Sequence, residues 1–396
     1  MGESAVLKLN DYCLEMILSH LSMEGQISFA QTCQRFRGVF MGWSRREFAS
    51  IWIVGEVLAV ELRLLTVVAM SVKKLTIHCN DLVSCFDSQY TNRSRNILIK
   101  NFCRLVQSMR NLQFVKIWEG NRHSTSISKH VLRILKDSSQ LRQLHICTLK
   151  LETTQIRKFE QIEILYIDVK LTARDLLQSC RTMTSLQTLH LTDQVSSARL
   201  REVLAHLPYL RDLSFVIDRS DSKHSKLYDC CQDASSSLSM LFDFLASQRT
   251  TLLSLSVKGQ ICAVHEAESL ASIKSLEVLD CNFSNPDCVL LLAGLSSLRA
   301  LRITYLQQMD ISSAYLYLIR QCRELRFLRI FDYNINPDFV RKASEVLQDV
   351  EAKKPLKLLI HGRHNSSTLR EFTSMAEDTK NIIFRSLTAT ELFTLI

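Results

Sequence analysis

Leu186-Gln187-Thr188-Leu189-His190-Leu191 is followed by Leu210-Arg211-Asp212-Leu213-Ser214-Phe215, twenty-four residues further on. Both stretches read L-x-x-L-x-L, with Phe215 standing for the last leucine. Alternation puts the second and third apolar residues on one face of a short strand. Working outward from this pair, the pattern recurs along the chain. Indexed by the middle apolar residue, the copies centre on Ile51, Leu75, Val115, Leu144, Leu165, Leu189, Leu213, Leu255, Leu279, Leu301, Leu328 and Leu358. Successive middles lie 24, 40, 29, 21, 24, 24, 42, 24, 22, 27 and 30 residues apart. Chance supplies one or two such matches, not a run of twelve with most steps near 24.

Between the strands lie amphipathic stretches of helical period. Leu200, Val203, Leu204 and Leu207 stand at i, i+3, i+4 and i+7, as do Leu238, Leu241, Phe242 and Leu245. A strand–helix unit cannot bury its apolar face alone, but stacked units make one long core. The period is that of leucine-rich repeats. Leu177-x-x-Cys180 and Ile319-x-x-Cys322-x-x-Leu325 resemble the cysteine-containing class of those repeats. The expected fold is α/β: a leucine-rich-repeat solenoid over residues 43–396, with about twelve short parallel strands on the concave side and helices outside. The two long steps imply insertions near 81–96 and 218–237.

Bulk composition agrees with a continuous architecture. Of 396 residues, 46% are apolar, 22% are charged, nine are glycine and four are proline. Low-complexity and collagen-like classes are excluded. No GxGxxG or GxxxxGK run occurs, so phosphate-cradling loops are not expected. The formal charge of +9 arises outside residues 1–47, where five basic and five acidic side chains balance. That excess favours acidic partners mildly and lacks the dense stripe of a nucleic-acid binder.

The first fourteen residues include Glu3, Lys8 and Asp11 and carry no apolar run, so no secretory leader is expected. The apolar window Ile51 to Met70 contains Glu56, Glu61 and Arg63 and is not expected to span a membrane. Thirteen scattered cysteines fit free, buried thiols in a cytoplasmic or nuclear protein. His265-Glu266 is not followed by the second histidine of a zinc motif, because position 269 is serine. Cys230-Cys231 are adjacent, and no C-x-x-C occurs. No metal, cofactor or catalytic set is expected, and the chain reads as a non-enzyme.

Residues 1–42 carry no repeat. Leu14, Ile17, Leu18 and Leu21 form a helical stripe after a cap at Asn10, and Ser22 caps a second short helix. Ile27, Ala30, Cys33 and Phe36 continue the apolar face. Leu9 to Leu21 resembles the first helix of an F-box, and Ile27 to Arg37 its second half, down to Cys33-x-Arg35-Phe36. Asn10 and Ser22 stand where that family usually has proline, and Gly25 where an acidic residue or Asn is common. The chain as a whole is similar to F-box/leucine-rich-repeat proteins.

The resemblance implies a substrate receptor of an SCF-type ubiquitin ligase. The F-box would dock on the Skp adaptor, and through it on the cullin–RING core, while the repeats hold a target protein. Adaptor contacts are expected at Leu9, Leu14, Ile17, Leu18, Leu21, Ile27, Cys33 and Phe36. As an interface the stripe should stay partly exposed. The rival reading is a leucine-rich-repeat scaffold whose N-terminal stripe only caps the stack. Nucleic-acid binding through the basic face is a third.

Alternation also picks the outward residues of each strand. The last copies present Asp280, Arg302, Phe327, Arg329 and Phe331, with His361 beyond. An arginine–aromatic cluster is hot-spot chemistry, so a target with an acidic or phosphorylated segment is expected there. Thr188, His190, Ser214 and Ser256 are the small polar groups expected outward in the middle copies.

Overall fold

The structure is a computed structural model that describes residues 5–54, 59–80, 92–120, 127–148, 151, 156–169, 171–217, 237–248, 252–336, 338–351, 354–361, 372, 374 and 381–386. These fall into two units, Met1–Leu186 and Gln187–Ile396.

The first unit opens with three helices, α1 (Asp11–His20), α2 (Met23–Thr32) and α3 (Gln34–Glu47). Strands then alternate with helices: β1 (Ser50–Ile53), α4 (Ala59–Val68), β2 (Lys74–His78), α5 (Asn92–Ser108), β3 (Phe114–Trp118), α6 (Ile127–Leu135), β4 (Gln143–Cys147), β5 (Ile164–Asp168) and α7 (Ala173–Cys180). Its five strands pair in parallel and in chain order. Ile51, Leu75, Val115, Leu144 and Leu165 stand opposite one another.

The second unit continues the alternation with β6 (Thr188–Val195), α8 (Ser197–Leu204), β7 (Asp212–Ile217), α9 (Ser237–Ser247), β8 (Ser254–Ile261), α10 (Val264–Ala271), β9 (Val278–Phe283), α11 (Pro286–Leu291), β10 (Ala300–Tyr305), α12 (Ser312–Gln321), β11 (Phe327–Asp332), α13 (Asp338–Asp349), β12 (Leu356–His361) and β13 (Ile382–Ser386). Its eight strands are again parallel. Leu189, Leu213, Leu255, Leu279, Leu301, Leu328, Leu358 and Phe384 share one register row. All twelve expected middles therefore occupy equivalent positions, and nearly all are fully buried.

Each copy is also locked by its backbone. The residue before a strand donates its N–H to the carbonyl of the equivalent residue one copy earlier: Leu253 to Arg211, Glu277 to Leu253, Arg299 to Glu277 and Arg326 to Arg299, each at 2.8 Å. Helices reach the strands through consecutive i→i−3 turns. Met183 bonds back to Cys180 and Leu186 to Met183; Leu295 bonds to Leu292 and Leu298 to Leu295. A residue every three positions thus faces inward, and these side chains are buried. The thiols of Cys180 and Cys322 are part of this core, and burial pushes them up to about 12 and about 11. Cys322 Sγ contacts the carbonyl oxygen of Leu292 at 3.9 Å.

The structure differs from or adds to the expected stack in three places, and one expected insertion falls almost wholly outside the described residues. Helix α5 begins at Asn92, so it takes the end of the insertion expected at 81–96; residues 81–91 lie outside the described residues. The insertion at 218–237, with Cys230 and Cys231, also lies outside them, except that Ser237 begins α9. Strand β13 is a thirteenth copy, hidden because Asn381 replaces the leading leucine. The register of β6 against β7 and of β8 against β9 shifts partway. The second shift passes through Gly259 at φ +119°, where a Cβ would meet Ile217 Cβ at 3.2 Å, so only glycine fits this bulge without strain.

One polar side chain enters an apolar row. Asp332 is fully buried at the end of β11, in register with Tyr305, which in turn faces Phe283. It accepts from the Tyr315 hydroxyl at 3.1 Å and from the Asn334 N–H at 2.8 Å. Burial raises its carboxyl above the ordinary range, and those two bonds only partly oppose the shift. The folded state therefore binds this proton more tightly than the unfolded chain. The contribution is full below the unfolded carboxylate pKa and is lost as pH rises through the raised one. Asp332→Asn keeps an acceptor oxygen for the Asn334 N–H, turns an NH2 toward the Tyr315 hydroxyl oxygen, which can accept from it, and removes the charge. Its unfolding midpoint should exceed wild type at pH 7.5 by roughly 2–4 °C, and the gain should vanish in acid below about pH 4. A variant less stable than wild type at pH 7.5 would contradict this account.

Candidate functional site

The N-terminal helices are built by local signals. Asn10 Oδ1 accepts the N–H of Cys13 at 2.9 Å to start α1, and Ser22 Oγ accepts that of Gly25 at 3.2 Å to start α2. The two positions where proline is usual in the resembled family thus begin helices by side-chain capping instead. Cys33 caps α3, its Sγ 3.5 Å from the N–H of Phe36. Phe29 stacks on Phe36 with ring centroids 4.3 Å apart. Gly25 sits over Leu21, where a Cβ would be 3.2 Å from Leu21 Cβ. Arg35 bonds to the carbonyl of Leu9 and pairs with Asp11 at 3.2 Å.

The apolar stripe, expected to stay partly exposed, is buried at half of its positions. Leu14 and Leu18 are 0% exposed, and Ile27 and Phe36 are also buried. Leu9, Leu21 and Cys33 are half-buried. Of the eight expected contacts only Ile17 is exposed, at 37%. The open apolar side chains of α1 and α2 are instead Tyr12 at 69%, Met16 at 50%, Ile17, and Met23 at 39%. A periodic stripe in sequence marks a face that is covered, not what covers it. Here α2 and α3 cover it. Helix α3 runs past residue 42 to Glu47 and leans on the stack, with Ser44 Oγ 2.9 Å from Ser71 Oγ.

On the second unit's sheet, the outward residues expected of β9, β10 and β11 come together. Arg302 stands between Asp280 and Arg329 in register. Its Nη1 is 3.8 Å from Asp280 Oδ2, and its guanidinium carbon lies 5.9 Å from the centre of the Phe327 ring. Burial raises the Asp280 carboxyl, against the pull of Arg302, Arg329 and Lys258. Burial lowers Arg329, and Arg302 beside it lowers it further. Phe331 packs edge-on to Tyr333 at 5.4 Å and stacks with His361 at 6.2 Å. His361 is buried rather than presented, and so is Ser214.

The same alternation applied to the first five strands finds a second, aromatic face. Trp52 is 74% exposed. Phe114, His145 and Tyr166 follow one another at 4.9 and 5.3 Å, and His78 lies 4.7 Å from Trp118. Among the described residues no group of three or more His, Cys, Asp or Glu side chains could hold a metal ion, and no helix is long and apolar enough to cross a membrane.

Parallel strands in register within each unit, most of them followed by a helix, define a leucine-rich-repeat architecture behind a helical N-terminal domain. Residues 6–42 match the family model of the F-box domain. The chain thus carries an F-box domain at residues 6–42 followed by a leucine-rich-repeat fold. Among solved structures it is similar to a chain of the mouse RP105/MD-1 complex, at 14% identity and a TM-score of 0.36, over 81% of this chain and 51% of that one. It is also similar to a chain of the TLR13–ssRNA13 complex, at 12% identity and a TM-score of 0.34, over 68% and 39%. It spans about half, or less, of the length of these two chains. No curated protein sequence matches.

Burying a charge at Leu14 or Leu18 would leave it unpaired inside the helical core, at a cost of several kcal/mol. Leu14→Asp with Leu18→Asp should therefore melt residues 5–47. Limited proteolysis should cut there first, while β6–β12 stay protected. Unchanged protease resistance of the N-terminal helices would show that the stripe is not their core.

Proposed function

We propose that this chain is the target-recognition subunit of an SCF-type ubiquitin ligase. The F-box docks on the Skp adaptor, which brings the cullin–RING core. The repeats hold a target protein, and ubiquitin is transferred elsewhere in the assembly by proximity. The observation that carries this reading is the F-box match at residues 6–42, whose helices expose Tyr12, Met16, Ile17 and Met23 although their inner faces are filled. Exposed apolar side chains grouped on two short helices suit a partner surface. The chain itself supplies binding, not bond chemistry, and is expected to work in the cytoplasm or nucleus.

One observation favours the scaffold reading. Helix α3 packs on α4 and the turn at Ala69–Ser71, as a cap on the stack would. Capping uses α3 and docking uses exposed side chains of α1 and α2, so both can hold. Met16→Asp with Ile17→Asp changes only exposed positions. It should leave the unfolding free energy within about ±0.5 kcal/mol of wild type and abolish co-purification of the Skp adaptor. Wild-type protein that fails to retain the adaptor at all would leave the scaffold reading standing instead.

A further inference from the structure

We propose that Arg302 and Arg329, with the aromatic rings around them, read a phosphorylated serine or threonine in the target. This deepens, and rests on, the reading of the repeats as a target-binding surface. The residues at issue lie on β9, β10 and β11.

The in-register pairing is the starting point. Arg302 and Arg329 are direct partners on adjacent parallel strands, so their backbones stand about 4.8 Å apart. Like charges placed directly opposite one another destabilise a sheet. A single carboxylate, Asp280, faces them from the far side of Arg302. Its ion pair with Arg302 at 3.8 Å is long, and among the described residues Arg329 has no ion pair within 4 Å, only the more distant pull of Asp280. On its other side, Arg329 faces the apolar Leu359. Both the neighbouring guanidinium and burial weaken the charged state of Arg329. Two cations and one anion in a row leave an anion wanting on the side of Arg329.

A phosphate monoester answers that arrangement. It carries a charge of about −1.5 to −2 and three acceptor oxygens, enough for both guanidiniums at once. A target carboxylate offers two oxygens and one charge, which duplicates what Asp280 already provides. A nucleic-acid backbone suits the row poorly, because Asp280 repels a repeating anion and the Phe327 face is occupied by Arg302. The aromatic residues complete the site. Phe327 and Phe331 flank Arg329 on the same face of β11, two positions to either side. Phe331 is held by Tyr333 and His361. These walls border a site whose Arg302 and Asp280 side chains remain about half open to solvent, and they offer apolar contact to residues beside the phosphorylated one.

The test uses the purified full chain and three pools of short degenerate peptides labelled with a fluorophore. One pool has a fixed central phosphoserine or phosphothreonine, one the unmodified residue and one glutamate. Anisotropy should show the phosphorylated pool binding about ten-fold or more tightly than either other pool. Arg302→Glu with Arg329→Glu should erase that preference. Arg329→Gln, which keeps the Asp280–Arg302 pair, should erase most of it and guards against a folding defect in the double variant. Equal binding of all pools, glutamate matching phosphate, displacement by single-stranded RNA alone, or a preference that survives both variants would each overturn the proposal. Adaptor co-purification is scored on the same preparations. Loss of the phosphate preference with the adaptor retained removes this site alone. A phosphate preference without adaptor binding removes the ligase reading alone.

Discussion

The apolar residue at the middle of each strand is the constraint on which the rest depends. It sits opposite its counterpart in the next copy, from Ile51 to Leu165 in one unit and from Leu189 to Phe384 in the other. A shift of one residue would turn the whole inward set to solvent. Every neighbouring copy enforces the same register, so the cost of a slip multiplies along the stack. The two long strands β6 and β8 absorb their extra residues in bulges rather than by slipping. Gly259 is where that accommodation is most localised.

The strand pattern was legible because it is local and repeated. The period-two alternation placed twelve strands, and the helical period placed α8 and α9 on their buried faces. The turn ladder was less visible. Runs such as Cys180-x-x-Met183-x-x-Leu186 have a period of three, which belongs to neither helix nor strand, although it supplies the leading leucine of each motif. Strand β13 escaped because Asn381 breaks that lead-in, while Phe384 still holds the register. Asp332 was invisible for the opposite reason. Nothing in its sequence neighbourhood announces that Tyr315, seventeen residues earlier, will meet its carboxylate.

The N-terminal helices show the limit of reading a face from its period. Leu14, Leu18, Ile27 and Phe36 have the spacing of an interface and the burial of a core. Periodicity reports that a side chain is covered, and only the three-dimensional path of α3 says by what. That helix serves two masters: Phe36 and Phe40 fill the interior of the helical domain, and Ser44 is bonded to Ser71 below the first strands. The domain packs on the repeats through one end of α3, and its open apolar side chains, Tyr12, Met16, Ile17 and Met23, lie on the two preceding helices.

The outward face obeys the same register with the opposite consequence. Inward, equivalent positions are apolar with few exceptions, Asp332 among them. Outward, they are free to differ, but whatever they are stands beside its equivalents at strand spacing. Identity at one outward position is thereby converted into a row, and Ser256, Asp280, Arg302 and Arg329 form such a row. No turn or loop has to be shaped to bring Arg302 and Arg329 together, because the buried leucines beside them have already fixed the distance. The repulsion between them is held in place by the apolar core beneath, Leu301 against Leu328 and Ile303 against Ile330. A single copy could not sustain it. The energy that aligns the two guanidiniums comes from burial on the far side of the sheet, which is why two like charges can be held side by side on this face although they repel.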